Sequence, residues 1–184
     1  MGKIKAIVIV RLRQQVFPSQ AKDVEAKYLE ALAPDERAFY QSALPSTRIP
    51  LAQAMVMICK AAEILYPGRG DAALRELGRM QAHADMTGLY KVLMRVVTVA
   101  YAVKQAAALW RQYHDQGEAR VEQDPAVPGA AAFVVTGYPE APRSFTFYNA
   151  GYIAGVLELT GATNVDVSVN FDNPQAWRTE VRWR

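Results

Sequence analysis

Chemistry in this 184-residue sequence has to come from few side chains, chiefly two histidines, His83 and His114, and a single cysteine, Cys59. Catalysis needs a positioned acid, base or nucleophile with a neighbour that orients it, and no such constellation is visible. The histidines show neither HExxH nor HxH spacing. His114, in "RQYHDQGE", reads as a solvated or dipole-interacting imidazole at a helix end. His83 reads as an imidazole bridging two helices. The sharper alternative for it is an axial ligand to haem or a metal, because haem needs only one protein ligand and an apolar slot. Cys59 lies in the most apolar helix of the chain and reads as a buried structural thiol. One cysteine excludes an internal disulfide and any multi-thiolate metal site.

Met55, Met57, Met80, Met86 and Met94 gather in the helical middle with Tyr90 and Tyr101. They suit either solid core or the lining of an apolar pocket between helices. Gly151 and Gly155, in "FYNAGYIAGVLELTG", share one helix face. Glycines inside a helix, not in a strand-to-helix turn, argue against a phosphate loop. They let a neighbouring backbone come close, in intrachain packing or in a subunit contact.

The elements that must hold these residues follow from periodicity. "KIKAIVIVRLRQQV" is β-branched and apolar on both faces at its centre, which predicts a strand near the middle or inner edge of a sheet. A helix follows with Ser19 as N-cap and Val24, Tyr28, Leu29 and Leu32 on one face. A second helix starts at Pro34, and Pro45 and Pro50 bracket a turn. Pro50 to Tyr66 is apolar on nearly every side, a central helix. The next helix spans about Asp71 to Ala84. A long helical stretch after Gly88 contains "RVVTVAY", where a bend or break is expected, and Gly117 is its C-cap. Two short strands, a helix from about Ser144 to Thr160, the Gly161 cap and two further strands complete the chain. The expected class is α+β, one domain over 1–184, with a helical layer packed on a small antiparallel sheet that the first strand could join.

Composition limits the function. Net charge is +3 with Lys and Arg spread along the chain, unlike the clustered basic stripes of nucleic-acid proteins. No uncharged stretch reaches the ~18 residues of a membrane span, and the N-terminal apolar run lacks a signal-peptide cleavage site. A cytoplasmic protein is expected.

Four pieces together carry a resemblance over nearly the whole chain: "GKIKAIVIVRLRQ", "LPSTRIPL", "AALRELGRMQAHADMTGLYKVLMR" and "AGYIAGVLELTGATNVDVSV…WRTEVRWR". They resemble a bacterial family that occurs as multiple paralogues in myxobacteria. That family is similar to the 4-vinyl reductase domain and the haem-NO-binding-like superfamily, which shares its fold with subunits of the transport-protein-particle tether. The resemblance implies a ligand-binding domain of the NO-signalling and Golgi-transport type, often homodimeric or docked on another protein. Zinc held by cysteines in some relatives is not expected with Cys59 alone. The leading expectation is a non-enzymatic ligand-binding or signalling domain. A hydrophobic small molecule would sit between Met55, Ile58 and Cys59 on one side and Met94, Val97 and Tyr101 on the other. Two alternatives stand beside it: an assembly module with a solid core that uses the Gly151/Gly155 helix or a sheet edge, and a haem-based gas sensor through His83.

Overall fold

The computed structural model describes residues 2–85, 98–138, 141–173 and 176–184. The chain is α+β, with a helical part followed by a four-stranded antiparallel sheet and one long helix packed on it. Among the described residues no helix is long and apolar enough to cross a membrane.

The N-terminus differs most from expectation. Only Lys3–Lys5 is a strand (β1), and it pairs with Arg48–Pro50 (β2) in the register Lys3↔Pro50, Ile4↔Ile49, Lys5↔Arg48. The segment expected to be wholly a turn between Pro45 and Pro50 thus contributes a strand. From Ile7 the chain is helical, as α1 (Ile7–Arg11), a π-helical turn (Leu12–Val16) and a 3₁₀ turn (Phe17–Ser19). The expected single strand does not form. An apolar run buried on every side carries no period that separates strand from helix, and tertiary burial then overrides β propensity. Val8, Ile9, Val10, Leu12 and Val16 are all buried. Nor does this segment join the C-terminal sheet; toward it lie an isolated bridge between Ile4 and His114 and hydrogen bonds between Lys3 and Asp115.

Helix α2 (Lys22–Ala31) is entered from Ala21, while the Ser19 hydroxyl donates to the Val16 carbonyl at 2.6 Å and does not cap it. In α3 (Pro34–Ser42) proline occupies the first turn, where its missing N–H costs nothing, and Glu36 accepts from the Ala33 N–H at 2.9 Å. Arg13, in the π turn, donates to the carbonyls of Tyr40, Gln41 and Ala43 and so satisfies the end of α3. The central helix α4 (Leu51–Leu65) buries Leu51, Ala54, Met55, Met57, Ile58, Ala61 and Ala62. Helix α5 runs Asp71–Asp85. Helix α6 (Val99–Tyr113) starts at Thr98, whose hydroxyl accepts from the Tyr101 N–H at 3.2 Å, inside the patch where a break was expected. Gly117 (φ +76°) makes the turn into β3 and is not a helix cap, since α6 ends at Tyr113.

The sheet has the order β3 (Glu118–Glu122), β4 (Ala130–Thr136), β6 (Ala176–Arg182), β5 (Asp166–Asn170). Helix α7 (Arg143–Leu159) lies between this sheet and α5. One face of α7 turns Ala150, Ala154 and Leu157 toward Val103, Val167 and Val181. The other face is built for contact with α5. A Cβ on Gly151 would stand 1.9 Å from the Arg75 carbonyl oxygen, one on Gly155 2.8 Å from that of Arg79, and one on Gly78 2.1 Å from that of Tyr148. The glycine face is therefore filled by α5 of the same chain. The contacts Arg75/Gly151, Arg79/Gly155 and His83/Glu158 advance together, so the two helices run parallel.

Candidate ligand site

Close approach of α5 and α7 creates polar rungs one turn apart. Gln81 and Asp85 are four residues apart on α5, and Tyr148 and Tyr152 are four apart on α7. The Tyr148 hydroxyl donates to Gln81 Oε1, and Gln81 Nε2 donates to the Val8 carbonyl at 2.8 Å. The Tyr152 hydroxyl donates to Asp85 Oδ2 at 2.5 Å. Arg11, on α1, closes the second rung as an ion pair, its Nε against Asp85 Oδ1. The side chains of Arg11 and Asp85 are 16% and 2% exposed. Burial pushes the Asp85 carboxyl up to about 6 in spite of the Arg11 charge. Burial, and then the Asp85 charge, raise the Tyr152 hydroxyl well above its ordinary value. A buried ion pair of this kind is weak evidence for stability and, in a strongly shifted site beside a cleft, a pointer to function.

Arg11 is the point where this network approaches the surface. A cleft of about 270 Å³ opens over it. Lys5 and Arg11 are its charged walls and Ser46 and Gln112 its neutral polar ones, while Ile7, Pro45 and Tyr113 give an apolar side. Sequence reasoning missed this set. The available signals were a charge, Arg11, inside an apolar run, and two tyrosines at helical spacing beside the glycines.

Met55 and Ile58 are buried core residues, Cys59 is half-buried against that core, and Tyr101 is 54% exposed. Met94 and Val97 lie outside the described residues, as do Met86 and Tyr90. Burial pushes the Cys59 thiol up, with a hydrogen bond to Ser144 opposing it, which leaves little thiolate.

His83 does bridge two helices. Its side chain is 46% exposed and its Nε2 lies 3.0 Å from Glu158 Oε2 on α7. His114, expected to be solvated, is instead 8% exposed, because the chain turns it under β1 onto Trp110. The two rings stack at 3.8 Å, with Tyr138 and Phe145 around them. Burial, helped by the Arg48 charge, depresses its pKa to about 3. A folded pKa below the unfolded ~6.5 favours the neutral ring. Its contribution is complete above about pH 6.5 and is lost as pH falls from there toward 3, by ~1.4 kcal/mol per pH unit at most. His114→Phe is expected to flatten the acid side of the stability profile between roughly pH 6 and 4, read as urea midpoints.

No family model matches the chain, and no curated protein does. Solved structures do. The chain is similar to an H-NOX protein from S. oneidensis in the Fe(II)NO ligation state, with TM-score 0.69 and 13% identity over 98% of this chain and 99% of that one. It is similar also to a variant H-NOX protein from K. algicida in the Fe(II) unliganded state, with TM-score 0.67 and 7% identity over 98% and 97%. The fold is that of the haem-NO-binding domains. A histidine-ligated haem needs an imidazole aimed into an apolar slot. His83 faces Glu158 at the surface and His114 lies flat on Trp110, so neither histidine fits that role.

Proposed function

We propose that this chain is a non-enzymatic sensor domain that binds a small molecule at the Arg11 cleft and transmits its presence through α1, α5 and α7. The observation that carries the reading is the buried Arg11–Asp85–Tyr152 set. It touches the cleft at one end and the glycine-packed helices at the other, so a ligand that recruits Arg11 perturbs an ion pair shared by three helices. Such a shared element, with its balance changed by a ligand, is what population shift requires. Likeness of fold to H-NOX proteins along the full chain supports a ligand-binding sensor.

Native mass spectrometry of protein purified from cells tests the reading. The expected result is a co-purifying small molecule whose removal lowers the melting temperature. An adduct-free mass, together with a melting temperature unmoved across a metabolite panel, would sink it.

A haem-based gas sensor is the second reading, favoured by the Fe(II) states of the similar H-NOX proteins. Reconstitution with haem is expected to give no histidine-dependent Soret band. A band that disappears in His83→Ala or His114→Ala would restore that reading over the first.

A further inference from the structure

We infer that the Arg11 cleft takes a small organic anion, with one carboxylate or phosphate group between Lys5 and Arg11 and a compact apolar body on Ile7, Pro45 and Tyr113. Both charged residues that line the cleft are cations. Arginine carries five N–H donors; the ion pair with Asp85 engages the Nε side of Arg11, which leaves its remaining donors for a ligand. Lys5 makes no ion pair among the described residues, and its Nζ lies 6.0 Å above the Tyr113 ring. The strand register sets Lys5 directly opposite Arg48. Like charges opposite one another across an antiparallel pair are destabilising, so an anion seated beside Lys5 would relieve that repulsion. At about 270 Å³ the cleft is smaller than drug-sized pockets, which run from ~300 Å³ upward. Its apolar side accepts a ring or a short chain, not a long acyl tail.

The inference relies on the sensor reading for its purpose and on the cleft alone for its chemistry. Titration calorimetry at low ionic strength with benzoate, benzamide and inorganic phosphate separates the contributions, in the wild-type chain, Lys5→Ala and Lys5→Arg. Lys5 is half-buried at the end of a three-residue strand, and a circular dichroism melt checks that both variants fold. The expected result is benzoate binding that weakens about tenfold in Lys5→Ala and returns in Lys5→Arg, with benzamide silent and phosphate weaker than benzoate. Benzamide binding as tightly as benzoate, or a Lys5→Ala variant that binds benzoate unchanged, overturns the inference. Phosphate equal to benzoate overturns the apolar half of the site. Silence from benzoate while a neutral molecule co-purifies in native mass spectrometry overturns the anion chemistry and leaves the sensor reading standing. Silence in both experiments removes both.

Discussion

Gly151→Ala is expected to cost about 3 kcal/mol or more of stability, at the upper end of what added volume does to a packed core. The added Cβ would lie 1.9 Å from the Arg75 carbonyl oxygen, with the Arg75 Cα at 2.7 Å. These are backbone atoms of α5, and neither can rotate aside as a flexible side chain can. Relief requires the helices to separate, which would also strain the rungs from Tyr148 to Gln81 and from Tyr152 to Asp85. Gly78→Ala should match it, since its Cβ would meet the Tyr148 carbonyl at 2.1 Å. Gly155→Ala should cost less, because its nearest neighbours, the Ala82 Cβ and the Arg79 carbonyl, stand at 2.8 Å. Urea denaturation orders the three. A loss under about 1 kcal/mol in Gly151→Ala would show that α5 and α7 are not in backbone contact. An association defect in a variant of wild-type stability would return the glycines to a subunit interface.

That contact was half legible in the sequence. Two glycines four apart announce a close neighbour, but not which one, because the partner glycine, Gly78, lies on a helix 73 residues away in the chain. Helices α4 and α7 carry clear stops, and their bounds, expected at Pro50 to Tyr66 and about Ser144 to Thr160, were readable to within a residue. The first helix was not. Ile7 to Val10 is β-branched and mostly buried, so local preference pointed to a strand, whereas the strand pairing with Arg48 to Pro50 stops at Lys5. The same burial hid the polar site. Arg11 looked like the outward residue of a strand, and the long separations from Arg11 to Asp85 and from Asp85 to Tyr152 leave no motif. His114 was misjudged for a related reason: a histidine after a helix is usually wet, and here a return of the chain covers it.

Arg11→Leu is expected to destabilise the protein by up to ~3 kcal/mol at pH 8, because the Asp85 carboxyl left without its cation must bind a proton, at ~1.4 kcal/mol per pH unit above its wild-type value of about 6. Asp85 is the vulnerable partner. Its side chain is 2% exposed against 16% for Arg11, which lines the cleft. Asp85→Leu should therefore cost clearly less than Arg11→Leu, and the double variant should recover most of the loss. The effect must depend on pH with a definite sign. In the wild-type chain the Asp85 pKa is about 6 when folded, above the ~3.9 of an unfolded aspartate. Between those values the native state binds more protons than the unfolded one, so this group adds stability as pH falls through 6 and takes it away as pH rises. Removing Arg11 raises the folded value further, because the attraction that opposed burial is gone. The deficit of Arg11→Leu relative to wild type should then be largest above about pH 7 and shrink by pH 5, where Asp85 holds its proton. Comparing variant with wild type at each pH cancels the opposite contribution of His114. Urea midpoints at pH 5 and 8 decide the matter, and a deficit equal at both would mean that Asp85 is not ionised against Arg11 in the folded protein.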